Sequence, residues 1–117
     1  MKNYRQKIGK IGQKIAKNYL IKRGYTIIDE NVYFRCGEID IIAKKNDSLF
    51  FVEVKTRVNN KFGYPEDSVS VQKLTKIENS ILSYIDQKGL KNAYFMFVIS
   101  IFIDLKNNLI KIRSFDI

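Results

Sequence analysis

Histidine is absent from this chain of 117 residues. Serine–histidine–aspartate triads, cysteine–histidine proteases, HNH nucleases and the usual zinc hydrolases all depend on an imidazole side chain. None of these mechanisms is open to a protein that has no histidine. Any hydrolysis by this protein must therefore rely on carboxylates, lysine and a metal ion.

Cysteine and long apolar runs are also scarce. The single cysteine, Cys36, excludes an internal disulfide and a four-cysteine zinc site, and we expect it to be a partly buried residue beside a turn. The chain has no run of about 18 apolar residues and no charged-then-apolar leader with a cleavage site. We therefore predict a cytoplasmic protein without a membrane span.

Positive charge is in excess. The chain has 21 Lys and Arg against 12 Asp and Glu, a formal net charge of +9 and a pI near 9.7. This balance favours a polyanion such as nucleic acid as partner, although basic composition alone is not specific. The length predicts a single domain over residues 1–117 with one core.

A β-hairpin is predicted for residues 37–57. Two runs rich in apolar and β-branched residues flank the polar sequence Lys45-Asn46-Asp47-Ser48, which is typical of two antiparallel strands joined by a turn. If Asn46-Asp47 form a two-residue turn, Asp40 lies directly opposite Glu53. The hairpin then places two carboxylates side by side.

Two adjacent carboxylates need a positive partner, because like charges opposite each other destabilise a strand pair. A hard cation such as Mg²⁺ or Mn²⁺ between Asp40 and Glu53 meets that need. Lys55 projects from the same strand face as Glu53, and Glu38 falls opposite Lys55. A metal ion, two carboxylates and a lysine suit phosphodiester hydrolysis. At this point an ordinary solvated strand face, with Lys55 as a surface ion-pair partner, remains open.

The same residues resemble a known nuclease core. Asp40 followed by Glu53-Val54-Lys55 is similar to the PD-(D/E)xK motif of restriction endonucleases and archaeal Holliday-junction resolvases. Over nearly its whole length the chain resembles the bacterial YraN family, which is itself predicted to be nuclease-like and whose substrate is poorly defined. The matching segments are Gly9-x-x-Gly12, Ala16-x-x-Tyr19-Leu20, Gly24-Tyr25, Asn31, residues 37–43 and 51–57, Phe62-Gly63 and Lys73.

The resemblance implies a Mg²⁺- or Mn²⁺-dependent nuclease in which Asp40, Glu53 and Lys55 are catalytic. It implies Asp40 and Glu53 as metal ligands, with Glu38 and Gln13 in or near the coordination of the ion. Gln13 is a departure, because the family usually has a glutamate at this position. Its amide oxygen can accept a hydrogen bond but brings no charge. Phe97 is a second departure, at a position where the family usually has an aspartate.

Nucleic-acid contacts are expected around the hairpin. We expect Arg35, Arg57 and Lys73 to contact phosphates. Tyr64 or Phe62, in a polar loop after the hairpin, would stack on a base or, as an equal alternative, anchor the loop to the body.

The predicted fold is α/β and restriction-endonuclease-like, with the order α-β-β-β-α-β-β and a mixed sheet flanked by helices. The first helix covers residues 1–23 and ends at Gly24; the second covers residues 71–88, with Ser70 as its cap and Gly89 at its end. Strands are predicted at residues 25–34, with a bulge near 29–31, in the hairpin, at 93–103 as a central strand and at 109–115 as an edge strand. The apolar stripe of the first helix consists of Tyr4, Ile8, Ile11, Ile15 and Tyr19, with Gly12 and Ala16 beside it, where small residues let the helix approach the sheet closely.

Two functions remain open from the sequence. The first is a nuclease that hydrolyses phosphodiesters in structured, branched or single-stranded DNA. The second is a module that keeps the nuclease fold and binds nucleic acid or a DNA-processing protein without cutting, which Gln13 and Phe97 favour. A homodimer is compatible with either function, as in the resolvases. A purely structural role is hard to reconcile with paired carboxylates and a lysine on one face.

Overall fold

The computed structural model of the chain describes residues 4–35, 37–59 and 71–116; for residues 71–74 only the backbone is described. The α/β class and the predicted order α-β-β-β-α-β-β are confirmed. The predicted cap Ser70 and the surroundings of Cys36 lie outside the described residues. The elements are α1 (Tyr4–Lys22), β1 (Thr26–Phe34), β2 (Gly37–Lys45), β3 (Ser48–Val58), α2 (Val71–Lys88), β4 (Tyr94–Asp104) and β5 (Leu109–Asp116).

The five strands form one mixed sheet in the order β1-β2-β3-β4-β5. Strands β3 and β4 pair in parallel and the other neighbours are antiparallel. The parallel pair follows from the chain, because α2 carries it from the end of β3 back to the start of β4. β4 has neighbours on both sides and β5 pairs with β4 alone, as predicted for a central and an edge strand.

The turn between β2 and β3 has the predicted two-residue form. Asn46 and Asp47 both have positive φ, 50° and 68°, and the flanking residues Lys45 and Ser48 pair. A two-residue turn with both φ values positive matches the twist of the strands, and Asn and Asp tolerate this region better than most residues. The turn therefore determines the register of the hairpin.

Strand β1 is irregular where a bulge was predicted. Its register against β2 shifts between Ile27 and Asp29, and Asn31 has a φ of 49°. A bulge of this kind redirects the side chains that follow it. The residues after the shift include Glu30 and Tyr33, which become important at the site.

Each face of the sheet carries an apolar cluster. On one face, Ala16 and Leu20 of α1 pack with Ile41, Val52 and Ile99 of the sheet. On the other face, Ile77 and Ile81 of α2 pack with Ile39, Ile42 and Phe51. Neither helix in the described part of the chain is long and apolar enough to cross a membrane.

The predicted apolar stripe of α1 was partly wrong. Tyr4 and Ile11 are 63% and 49% exposed, whereas Gly12, Ala16 and Leu20 are buried. The physical reason is steric, because the small residues of the helix permit the closest approach to the sheet and thereby select the face that is buried.

Candidate active site

The register predicted for the hairpin holds as far as Ile41 opposite Val52, one residue before Asp40 and Glu53. The backbone pairing of β2 with β3 does not continue to Asp40, whose side chain instead forms a hydrogen bond with the backbone of β3. Its Oδ2 accepts a hydrogen bond from the N–H of Val54 at 2.8 Å. This bond holds the Asp40 carboxylate in place at the point where the ladder ends.

Glu53 and Lys55 form an ion pair of 3.2 Å between Oε1 and Nζ. Their contact agrees with the prediction that both project from one face of β3. The two side chains are only 10% and 17% exposed. A carboxylate so far removed from water needs a positive partner, and Lys55 provides that charge.

Negative charge accumulates around Glu38. Burial raises the pKa of the Glu38 carboxyl, the charge of Glu53 raises it further, and a hydrogen bond from the Tyr33 hydroxyl opposes the shift. The charge of Glu38, with smaller effects of burial, of their hydrogen bond and of Asp40, raises the pKa of Tyr33. Glu53 thus acts on Glu38, while Glu38 and Asp40 both act on Tyr33, and this concentration of negative charge is a favourable environment for a cation.

Replacing Glu38 is expected to stabilise the metal-free protein. We expect Glu38→Gln to raise the thermal midpoint at pH 7 by about 1–4 °C, because the amide removes a charge from a negative environment. Because the pKa of Glu38 is higher in the folded than in the unfolded protein, binding of a proton to its carboxyl favours the folded state. This stabilisation is complete below the unfolded pKa of about 4.3 and is lost as the pH rises through the folded pKa. The gain should therefore shrink towards pH 4, as measured by thermal denaturation at both pH values.

The matched control for this prediction is Glu78→Gln, the same substitution at an exposed position of α2. It should leave the midpoint unchanged within about 1 °C, since surface substitutions have small effects. A lower midpoint for Glu38→Gln at pH 7 would contradict the electrostatic account of Glu38.

Gln13 reaches the sheet from α1 and contacts Glu30. Its Nε2 donates to Glu30 Oε1 at 3.2 Å, and the Nζ of Lys17 lies 2.9 Å from Glu30 Oε2. The hydrogen bond from Lys17, with a weaker one from Gln13, lowers the pKa of Glu30. Gln13, which was predicted to lie in or near the metal site, thus binds Glu30, a carboxylate that sequence reasoning did not select. The only sequence feature that could have indicated Glu30 was the bulge predicted near residues 29–31.

A groove of ≈ 1350 Å³ runs between α1 and the sheet. It brings together several predicted site residues, Gln13, Glu38, Asp40, Lys55 and Arg57. The lining residues that sequence reasoning missed come from α1 and β1, and include Tyr4, Arg5, Gly9, Lys10, Lys14, Lys17, Glu30 and Tyr33.

Other predicted residues lie elsewhere. Phe97 is 8% exposed and pairs with Val52 of β3. The centroid of its ring lies 6.4 Å from that of Tyr25 and 6.0 Å from that of Phe50. It therefore belongs to the core on the α1 face. Arg35 is exposed in the turn between β1 and β2. Tyr64 and Phe62, as well as the side chain of Lys73, lie outside the described residues.

The donor set of the hairpin suits a hard cation with few protein ligands. Within residues 4–35, 37–59 and 71–116, no three acidic or cysteine side chains converge as a metal-binding group. A structural zinc site would need four ligands. Mg²⁺ is commonly held by one or two carboxylates and retains several waters, which matches Asp40 and Glu53.

Comparison with known proteins places the chain among uncharacterised bacterial proteins. The family model described as "Uncharacterised protein family UPF0102" matches residues 12–117. A UPF0102 protein of Clostridium tetani is 45% identical over 114 residues, which cover 97% of this chain and 93% of that protein. One from Caldicellulosiruptor bescii is 43% identical over 111 residues, 92% of each chain. One from Clostridioides difficile is 48% identical over 85 residues, 73% of this chain and 75% of the relative.

Proposed function

This chain belongs to the uncharacterised protein family UPF0102, and from the geometry of its hairpin we propose that it is a metal-dependent nuclease that hydrolyses DNA phosphodiesters. One observation carries the proposal. Asp40, held by the Val54 N–H, borders a basic groove together with Lys55 of the Glu53–Lys55 ion pair. This arrangement supports the resemblance to the YraN family and to the PD-(D/E)xK nucleases.

Each residue of the hairpin has a distinct role in this proposal. Asp40 and Glu53 would hold Mg²⁺ or Mn²⁺. The ion, when bound, would polarise the phosphate and activate water for attack. Lys55 would stabilise the charge that develops on the phosphate, because its side chain lines the groove together with Asp40.

Positioning of the substrate supplies the remaining rate enhancement. Phosphoryl transfer depends mainly on orientation and charge stabilisation, so residues that bind phosphates contribute to the rate. Arg57 lines the groove beside Lys55, and Arg35 is exposed at the turn that precedes β2. We propose both as phosphate contacts.

Cleavage of defined DNA tests the proposal. End-labelled single-stranded, duplex, flap and four-way-junction DNA are incubated with the protein and Mg²⁺, Mn²⁺ or EDTA. We expect metal-dependent cleavage, and we expect Lys55→Ala to lower the rate by about 10²-fold because it removes a charge at the reacting phosphate. Lys55→Arg should retain more activity, since it keeps the charge with a different geometry.

The control for this experiment is Lys91→Ala, which removes the same charge at an exposed position before β4. It should cleave like the wild type. Cleavage that persists in EDTA, or full activity of Lys55→Ala, would contradict the proposed mechanism.

The second candidate is a module that binds nucleic acid or a DNA-processing partner without cutting. Two observations favour it: Gln13 is hydrogen-bonded to Glu30, and no third carboxylate joins Asp40 and Glu53 as a ligand group in the described residues. Such a module should bind DNA equally well in EDTA and show no Mn²⁺-dependent thermal shift.

Light scattering after size exclusion tests the proposed homodimer, which paired cutting of a four-way junction would require.

A further inference from the structure

We propose that the groove between α1 and the sheet accepts a single nucleic-acid strand, with Tyr33 stacked on a base and the strand's backbone passing α1 at Gly9. The inference rests on the proposed function for the chemistry at Asp40. It concerns the form of the substrate, however, and binding in the absence of metal tests it separately.

The shape and charge of the groove suit an extended anion. Its volume of ≈ 1350 Å³ exceeds the range of about 300–1,000 Å³ in which most small-molecule pockets fall. Arg5, Lys10 and Lys14 are exposed along the α1 wall. Several basic side chains on the helix that borders the groove suit a phosphate backbone that runs along it.

Tyr33 provides an aromatic surface next to the candidate active site. The residue is 74% exposed, although a large apolar ring gains by burial. Tyr33 pairs with Glu38 across β1 and β2, and both residues line the groove together with Asp40. Tyr33 is thus an exposed aromatic residue beside the candidate active site. A base stacked on the ring would bring a neighbouring phosphate close to Asp40.

Gly9 leaves the backbone of α1 open to the groove. Glycine in a helix interior is about 1 kcal/mol less favourable than alanine. Packing explains the glycine at position 12, because a Cβ there would overlap Thr56. Packing does not explain the glycine at position 9, because a Cβ there would meet no atom within 4 Å. Since the protein's own packing does not require glycine there, we infer that the ligand does, through close approach of the strand to the helix.

A single strand fits these features better than a duplex. In a duplex the bases are stacked on one another, so none can present its face to Tyr33 without first leaving the helix. Single-strand binders combine a basic groove with aromatic residues on which bases stack. The groove has both components, on facing walls.

Fluorescence anisotropy with labelled oligothymidine of about 12 nucleotides, in EDTA, tests the stacking role. We expect Tyr33→Ala to weaken binding by about 5- to 100-fold. Tyr33→Phe keeps the ring but loses the hydroxyl, so it should bind within about 2-fold of the wild type. A duplex of equal length should bind more weakly than the single strand. Equal affinity of the Ala and Phe variants, or of duplex and single strand, would overturn the proposal.

Two further variants test the path of the backbone. Gly9→Ala should weaken binding of the oligonucleotide while its thermal midpoint stays equal or rises, a combination that a purely structural role would not give. Lys14→Gln should lower the slope of log affinity against log salt by about 0.7, the value for one phosphate contact of a single strand. Lys22→Gln, at an exposed α1 position outside the groove lining, should leave the slope unchanged. Unaltered binding by Gly9→Ala would exclude a path along α1.

The outcome for binding is separable from the outcome for cleavage. If the binding pattern above is obtained but no metal ion supports cleavage, the groove assignment stands and the nuclease proposal fails. If cleavage requires Asp40 but binding ignores Tyr33 and Gly9, the groove assignment fails and the nuclease proposal stands.

Discussion

Asp40→Asn is expected to fold like the wild type and to lose metal-dependent DNA cleavage by about 10²- to 10³-fold. The amide oxygen of asparagine can still accept the hydrogen bond from Val54, which is 2.8 Å long in the wild type. The neutral amide does not supply the negative charge that a cation needs. Initial cleavage rates in Mg²⁺ and Mn²⁺, together with the thermal midpoint, measure both halves of this prediction.

Two companion variants make this prediction specific to the charge of Asp40. Asp40→Ala removes the acceptor as well, leaves the Val54 N–H without this partner and should lower stability by about 1–3 kcal/mol. Asp47→Asn makes the same chemical change at the exposed turn of the same hairpin, where asparagine also tolerates positive φ. It should cleave at the wild-type rate. Full activity of Asp40→Asn would refute the assignment of Asp40 as a ligand.

Gly12→Ala is expected to destabilise the protein, although alanine is a better helix former than glycine. A Cβ at this position would overlap Thr56 Oγ1 and lie 2.8 Å from Thr56 Cβ and Cγ2. Overpacking of this kind costs about 1–3 kcal/mol, and here the obstacle is a β-branched side chain on a strand of the sheet. Chemical denaturation measures the loss, which corresponds to a fall of about 4–8 °C in thermal midpoint for each kcal/mol.

Gly9→Ala is the matched stability control, because it makes the same change in the same helix without steric conflict. It should be neutral or stabilising by up to about 1 kcal/mol. Because Thr56→Gly removes all three conflicting atoms, the double variant Gly12→Ala/Thr56→Gly should be less destabilised than the sum of its parts, by about 0.5–3 kcal/mol. Similar denaturation of Gly12→Ala and Gly9→Ala would show that α1 does not pack on β3 as described.

The sequence by itself determined the hairpin, because the information that specifies it is local. The turn residues Asn46 and Asp47 favour the required backbone, and side chains alternate along each strand. Counting from the turn was enough to place Asp40 near β3 and to put Glu53 and Lys55 on one face. The ends of both helices were also predictable from local sequence. Glycine favours the positive φ that ends a helix, and Gly24 and Gly89 have φ values of 89° and 61°.

The buried face of α1 was decided by tertiary structure. Apolar periodicity placed Tyr4 and Ile11 in the stripe, which the structure leaves exposed, whereas the close approach expected at Gly12 and Ala16 is confirmed. Periodicity measures hydrophobicity, whereas the separation of helix and sheet depends on the volume of the side chains between them. Gly12 is buried because Thr56 faces it, and a contact between residues so far apart along the chain has no local signal.

The residues that line the groove also depend on tertiary structure. The sequence identified the carboxylates of the hairpin because they interrupt apolar strands, whereas Tyr33 and Glu30 stand in no comparable motif and Gly9 was matched only as part of a family segment. Tyr33 reaches the site through the pairing of β1 with β2, and Glu30 meets Gln13 through the packing of α1 on the sheet. Local pattern thus indicated which residues are candidates for the proposed chemistry, whereas long-range packing determined what surrounds them, because only the folded chain brings distant segments together.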